Sequence, residues 1–472
     1  MLLSDLKPLK CILHTILPEE DPKYITKEDY EIEFIETCLE LMCDYIDENP
    51  TAISEPDFEE DIIQDIKELF IMHFEEDPFF NYNAEEEIDD IIYTALSIFY
   101  DQIMPSRSQN GTYEIKHSEK QIKSLEKKIK GLNELEQPEQ RTPEWYEFRH
   151  NLITASNAYK VFENQNVQNQ LIYEKCQPLF VPQLADTDFT QVNTNSTLHW
   201  GQKYEPLSVM VYEDKYKTTV GDFGCIKHPQ YSFLGASPDG INIDKNSPRY
   251  GRMIEIKNIV NREINGNPKK EYWIQMQLQM EACDLDECDF LETKFTEYTD
   301  RDTFNQDSNE EDICISKNDE IKGIIIQFIT KEGKPIYLYK PLNLVNKCEI
   351  EEWEEKTLNY YQSEEYNYTY VKFIYWKLEE ISCVLVFRNK KWFQDNIGQL
   401  KNIWSLIEKE RKEGFSHRAP NKRVKKETVE NSQITEINSS NCLLNIKDGK
   451  TLINVIKIRT ESFDETKANM KT

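Results

Sequence analysis

The run Met253-Ile254-Glu255-Ile256-Lys257-Asn258-Ile259 constrains this chain more tightly than any other stretch of it. Side chains of a strand alternate between faces, so Glu255 and Lys257 project to one side while Ile254 and Ile256 project to the other. Upstream, Gly235-Ala236-Ser237-Pro238-Asp239-Gly240 has the composition of a turn, and fifteen residues separate Asp239 from Glu255. That is the distance one hairpin needs. If Asp239 closes such a turn beside the strand, two carboxylates and one ammonium converge on a single point.

Carboxylate, carbonyl and water oxygens are the ligands that hard cations such as Mg2+ favour. A cation held there lowers the pKa of a bound water and offsets charge on a phosphodiester, while Lys257 orients the nucleophile or stabilises developing negative charge. The same residues also permit a plainer arrangement. Glu255 and Lys257 can form an ion pair on a half-exposed strand, with Asp239-Gly240 as an ordinary turn.

The net charge of -30 is unevenly distributed. The first 100 residues carry 28 acids and five bases, net -23, which leaves 58 acids and 51 bases, net -7, for the remaining 372. A general field therefore does not draw a polyanion to this chain, and phosphate binding has to come from a local groove or a metal. Eleven cysteines occur without a Cys-x-x-Cys pair, the closest spacings being Cys38 to Cys43 and Cys283 to Cys288. This favours reduced thiols over a zinc ribbon or an iron-sulphur cluster. No apolar run is long enough to span a membrane, and the first residues lack the basic start of a secretory signal, so a soluble intracellular protein without membrane contacts is expected.

Composition divides the chain into segments. Residues 1–104 are expected to form an acidic helical domain, with apolar stripes at Ile32, Ile35, Leu39 and Met42 and at Ile62, Ile66, Leu69 and Ile71. Its exterior suits a solvated surface, a partner-binding module or a mimic of DNA charge. Residues 105–140 form a linker that opens with Pro105-Ser106-Arg107-Ser108-Gln109-Asn110-Gly111-Thr112 and carries a Lys-rich helix with Ile122, Leu125, Ile129, Leu132 and Leu135 on one side. From 141 to 297 helix and strand signals alternate, predicting an α/β core with a mixed central sheet flanked by helices. Its expected elements are a helix from Thr154 to Phe162, one from Trp200 to Tyr216, strands at 223–226, 253–259 and 290–295, and a helix over 269–282. Residues 298–320 suit an acidic insertion loop. Strands at 323–329, 336–339, 371–375 and 382–387 and a helix over 391–412 compose an α+β extension spanning 321–415 that packs on the core. From 416 to 472 a disordered tail is expected, with Lys422-Arg423-Val424-Lys425-Lys426 as a solvated, phosphate-binding or nuclear-import cluster.

Five motifs follow one another across 141–295. They are Trp145-Tyr146-Glu147-Phe148-Arg149 leading into Ile153-Thr154-Ala155-Ser156; Trp200-Gly201 through Glu205-Pro206; Gly235 to Gly240; Glu255-Ile256-Lys257; and Tyr272-Trp273-Ile274-Gln275-Met276-Gln277. In this order they resemble the YqaJ-type viral recombinases, relatives of phage lambda exonuclease within the PD-(D/E)XK nucleases. The resemblance implies a restriction-endonuclease-like nuclease core over 141–297. It also implies that Glu205, Asp239, Glu255 and the Ile256 carbonyl bind metal, that Lys257 assists the attacking water, and that Gln275 stands beside the metals. Mg2+, with Mn2+ as a substitute, is the implied cofactor, and a third acid at Glu205 would let the site hold two ions. Arg149 matches an arginine that binds a terminal 5'-phosphate, with Ser156 as a second phosphate contact. A guanidinium suits that role because its donors form a rigid fork. On a helix Tyr272, Gln275 and Gln279 share one face, so an uncharged polar row can line the cleft.

The implied activity is exonucleolytic, from the 5' terminus of a DNA duplex end, leaving 3' overhangs for viral recombination and repair. A single-strand annealing protein is the implied partner, and the host cytoplasm or nucleus the implied compartment. Tyr375-Trp376-Lys377-Leu378, Arg388 and Trp392-Phe393 look like C-terminal extensions of relatives from large DNA viruses and are assigned to support of the fold. The acidic N-terminal segment and this extension are absent from the small phage members, which leaves monomer and trimer both open. An endonuclease built on the same core is the alternative activity. A nonenzymatic DNA-binding protein is disfavoured because Glu205, Asp239, Glu255 and Lys257 are all present.

Overall fold

The computed structural model describes residues 27–74, 84–109, 116–138, 142–179, 194, 196–309 and 312–419. The Lys422 to Lys426 cluster, Asn110 to Thr112 of the connector, and Arg141 lie outside the described residues.

Three amphipathic helices open the described chain: α1 (Lys27–Glu48), α2 (Phe58–Phe74) and α3 (Ala84–Gln102). Their buried seam is Cys38, Met42 and Ile46 on α1 and Phe58, Ile62, Ile66 and Phe70 on α2, closed by Ile92, Ala95 and Phe99 of α3. Leu69, expected in this seam, is 48% exposed, because a four-residue ladder from Phe58 to Phe70 sets the buried face. The acidic exterior meets lysines of the main body. Lys391 Nζ lies 2.8 Å from Asp47, and Lys270 Nζ lies 2.7 Å from Glu55.

The Lys-rich helix α4 (Glu119–Asn133) starts at a capping box in which Ser118 Oγ accepts the Gln121 N–H and Gln121 accepts the Ser118 N–H. Ile129 and Leu132 are buried, whereas Leu135 lies past the helix end and is exposed. Next come α5 (Pro143–His150), β1 (Ile153–Thr154), α6 (Ala155–Ala158), α7 (Gln165–Cys176) and α8 (Thr197–Tyr216). The helix expected over 154–162 is divided into α6 and a 3-10 turn at Tyr159–Phe162.

Strands β2 (Val220–Gly221), β3 (Ile226–Lys227), β4 (Leu234–Ala236), β5 (Gly240–Asn242) and β6 (Met253–Asn258) precede α9 (Lys270–Cys283) and β7 (Glu287–Glu297). Phe223 is buried but outside any strand, so the strand expected at 223–226 is confined to β3. After β7 the chain forms α10 (Arg301–Gln306), β8 (Lys322–Ile329), β9 (Pro335–Tyr339), α11 (Lys347–Tyr361), β10 (Thr369–Phe387) and α12 (Lys390–Glu413).

The fold is mixed α/β. A seven-stranded sheet has the order β2-β5-β6-β7-β10-β8-β9, in which only β6 and β7 run parallel. Helix α9 makes the crossover that a parallel pair requires. A smaller sheet, β1-β4-β3, sets β1 parallel to β4.

The residues expected to form an extension enter the main sheet itself. The two strands anticipated at 371–375 and 382–387 are one 19-residue strand, β10. Its first half pairs with β8 and its second with β7. The charged pair Glu379-Glu380 looks like a break in sequence, but a register shift there is accommodated within the ladder and Glu379 faces Lys294 at 3.7 Å. Helix α11 was not anticipated, for it buries only Ile350, Glu354 and Thr357 and carries little apolar periodicity. Residues 298–320, expected as a loop, contain α10, capped by Asp300. Residues 416–418, expected to be disordered, form an exposed 3-10 turn, with Arg418 clasping Glu410 at 2.6–2.9 Å.

Candidate active site

The site forms where β5 parts from β6. Strand β5 pairs with β6 only at Gly240↔Ile254 and Ile241↔Met253, so β6 beyond Ile254 has no strand on that edge. Asp239, immediately before β5, occupies the gap, and its Oδ2 accepts the Ile256 N–H at 2.7 Å. A strand residue's N–H and C=O point to the same edge, so the Ile256 carbonyl faces Asp239's side as well. Close packing shapes the preceding turn. A Cβ on Gly240 would lie 2.2 Å from Val220 Cγ1, and one on Gly235 would lie 2.6 Å from Leu152 Cδ1. Both glycines are therefore set by neighbours pressed against the backbone.

The alternation expected along β6 is present. Ile254 and Ile256 join Tyr212 and Leu291 in one buried cluster with Val209 and Tyr216, so α8 covers that face. On the opposite face Glu255 is fully buried, Lys257 forms an ion pair with its Oε1, and Lys257 Nζ lies 4.6 Å from the centroid of Tyr272 on α9. Burial works against the Lys257 charge, but Glu255 and Asp239 outweigh it and its pKa is raised. Burial and the adjacent Glu255 push the Asp239 carboxyl well above the ordinary carboxylate range, against the opposing pull of Lys257 and the Ile256 N–H. One lysine therefore does not satisfy both the buried Glu255 and the half-buried Asp239. This oxygen-rich, electron-rich pair fits a hard cation.

Glu205 is exposed on α8, the helix that covers the other face of β6. Its charge contributes to raising the Asp239 pKa. Among the described residues, however, no three Asp, Glu, His or Cys side chains gather as a ready-made metal cluster. Asp239 is held by the Ile256 N–H and Glu255 by its place on β6, whereas Glu205 reaches the pair from α8.

Gln275, expected beside the metals, is half-buried on α9. One turn later, Gln279 makes the direct contact: its fully buried amide donates to Glu255 Oε2 at 2.7 Å and to the Ser237 carbonyl at 3.1 Å. The signal was available in the helical row Tyr272, Gln275, Gln279. Gln277 instead clamps the β10–α12 junction, donating to Phe387 O and accepting the Asn389 N–H. A second residue not anticipated is Glu292, in register with Lys257 on β7, fully buried and paired with Arg262. Burial raises its pKa, with Arg262 and Lys257 opposing.

Arg149 ends α5, a helix capped by Thr142, whose Oγ1 accepts the Trp145 N–H at 3.2 Å, and begun by Pro143. Its guanidinium lies 4.5 Å from the Trp145 ring centroid and donates to Ser237 Oγ at 3.2 Å. The carbonyls left open at the end of α5 are taken by cations, Arg149 O by Lys175 at 2.7 Å and His150 O by Arg411 at 3.0 Å. Ser156 is exposed at the start of α6, 3.3 Å from Thr154 Oγ1, and Thr154 is in register with Gly235. Arg149 thus touches the turn that delivers Asp239 through Ser237, and the β1–β4 pairing sets Thr154, the neighbour of Ser156, beside the strand that leads into it.

Residues 144–286 match the YqaJ-like viral recombinase domain. All eight sequence-predicted site residues and Gln279 lie inside this YqaJ-like segment. The chain is also 30% identical over 305 residues to an uncharacterized protein, R354, of Acanthamoeba polyphaga mimivirus, across 58% of this chain and 54% of that protein. The chain thus spans about half the length of that relative. Two crystal structures of an alkaline exonuclease (LHK-Exo), from Laribacter hongkongensis and in complex with dAMP, align at 19% identity over 57% of this chain and 94% of theirs, each with a TM-score of 0.31. No helix among the described residues is long and apolar enough to cross a membrane.

Proposed function

We propose that this chain is a Mg2+-dependent DNA exonuclease that engages duplex ends and degrades one strand from its 5' terminus, leaving 3' overhangs for viral recombination and repair. One observation carries the reading: Asp239, Glu255 and Lys257 meet where β6 runs on past β5, a buried and a half-buried carboxyl group beside one ammonium. The YqaJ-like viral recombinase segment that contains them supports the choice of DNA as substrate.

Asp239, Glu255 and the Ile256 carbonyl, with Glu205 from α8, are the groups that would hold Mg2+ or Mn2+, two ions in the full complement. Bound there, the metal supplies Lewis acidity and charge neutralisation at a phosphodiester. Lys257 holds its proton, positioned to orient a water and to stabilise negative charge as it develops. Arg149 presents a fork of donors to a terminal phosphate, and Ser156 offers a hydroxyl beside it. Because the chain as a whole is acidic, end recognition depends on this local pair. A single-strand annealing protein would take up the product strand.

The test is a duplex labelled separately at each 5' and 3' end, with and without a 5'-phosphate, digested in Mg2+. Release of the 5' label first, dependent on the 5'-phosphate, is expected. Cleavage of covalently closed circles as fast as linear duplex would overturn the exonuclease assignment.

A further inference from the structure

We propose that Gln279 is a positioning residue that couples occupation of the terminal-phosphate site to the geometry of the metal-binding carboxylate Glu255. The inference rests on the functional reading above and adds a route between its two parts.

The route is continuous. Arg149 Nη1 donates to Ser237 Oγ at 3.2 Å, the Ser237 carbonyl accepts Gln279 Nε2 at 3.1 Å, and the same Nε2 donates to Glu255 Oε2 at 2.7 Å. Ser237 stands two residues before Asp239, so a shift of this turn moves both carboxylates at once. Gln279 has no solvent exposure, and its Oε1 is buried without a hydrogen-bond partner. Leaving a buried acceptor unsatisfied is costly. The amide accepts that cost because the reverse orientation would place its oxygen against the Glu255 carboxylate. Its direction is therefore dictated by Glu255 and Ser237 together, and a ligating carboxylate held by an outer hydrogen bond is the arrangement that tunes metal affinity.

Each half of the route can be cut alone. Ser237→Ala removes the hydroxyl that Arg149 reaches and leaves the backbone carbonyl, so Gln279 and Glu255 keep their contact. Gln279→Leu and Gln279→Met remove the amide at nearly constant volume, and either suffices if it melts cooperatively with unchanged circular dichroism. The readouts are Mn2+ affinity by calorimetry on the full chain without DNA, and the ratio of kcat on 5'-phosphate to kcat on 5'-hydroxyl ends.

Gln279→Leu or Met should weaken Mn2+ binding by about 10- to 100-fold and bring the kcat ratio close to one. Ser237→Ala should also bring the ratio close to one while leaving Mn2+ affinity within about twofold of wild type. Wild-type Mn2+ affinity and 5'-phosphate preference persisting in the Gln279 variants would overturn the coupling. An undiminished preference in Ser237→Ala would overturn it too. If the wild-type chain itself showed no metal-dependent cleavage or no 5'-phosphate preference, the functional reading would fail instead.

Discussion

Ile256 donates its backbone N–H to Oδ2 of Asp239 at 2.7 Å, on the stretch of β6 beyond Ile254 from which β5 has parted. A carboxylate thus stands where a neighbouring strand would have continued, and its position is fixed by the main chain. Asp239→Asn can still accept that N–H while removing the charge. Its cleavage rate should fall by on the order of a thousandfold or more, with the melting temperature unchanged or raised, since a charge disfavoured by desolvation and by Glu255 is removed. Single-turnover digestion and thermal melts of the same preparation decide it.

Lys257→Met should retain Mn2+ binding by calorimetry but lose roughly 10²- to 10⁴-fold in kcat, the range expected when a positioned proton-transfer or charge-stabilising group is lost. An equal loss of metal binding would show that Lys257 is needed to hold the carboxylates apart, not to serve the nucleophile.

Arg149→Lys keeps the charge and loses the fork, and the shorter contact surface also weakens stacking on Trp145. KM for 5'-phosphorylated ends should rise by roughly tenfold while KM for 5'-hydroxyl ends stays within about twofold. A parallel rise for both ends would reduce Arg149 to general electrostatics.

Lys175 provides a pH-dependent stability signal remote from the carboxylates. Burial, then Arg149 and Arg411, lower its pKa from 10.5 to about 8. Below about 8 both folded and unfolded chains carry the proton, and the native state bears the cost of the buried charge. Between about 8 and 10.5 the unfolded chain binds more protons, so stability rises with pH. Urea melts should show wild type gaining about 3 kcal/mol on Lys175→Met between pH 7 and pH 11. A pH-independent difference would refute the assignment.

The buried network at Asp289 predicts a purely structural effect. Asp289 pairs with Arg249, receives Arg252 Nη1 at 3.1 Å and accepts the Tyr212 hydroxyl at 2.6 Å, all four residues being nearly inaccessible. Asp289→Asn leaves the buried Arg249 without its carboxylate and Arg252 with Glu287 alone, and should cost about 3–5 kcal/mol in urea unfolding.

Sequence was most informative where one local period decides orientation. The alternation of β6 separated Glu255 and Lys257 from Ile254 and Ile256, and the helical row on α9 held Gln279, though Gln275 was placed ahead of it. Choosing between residues one turn apart requires the tilt of α9 over β6, which no periodicity encodes. Glu205 illustrates the same limit, because which face of the sheet α8 covers is a tertiary fact. The joining of residues 371–387 into one strand was hidden by Glu379 and Glu380, whose lysine partner lies on a different strand. Helix α11 was hidden because so little of it is buried.

The single parallel pairing in the main sheet also sets how much chain β6 needs in order to stay paired. Residues 144–286 end one position before β7 begins at Glu287, yet all six residues of β6 are in register with β7. The matched stretch therefore stops short of the strand that runs along the whole of β6. Cut free, it would present a bare, apolar sheet edge open to pairing with other chains. A fragment that keeps both edges of this pairing must extend at least through β7 and, because β7 rests on the second half of β10, toward Phe387. The segment that carries the signature is thus smaller than the segment that closes its own sheet.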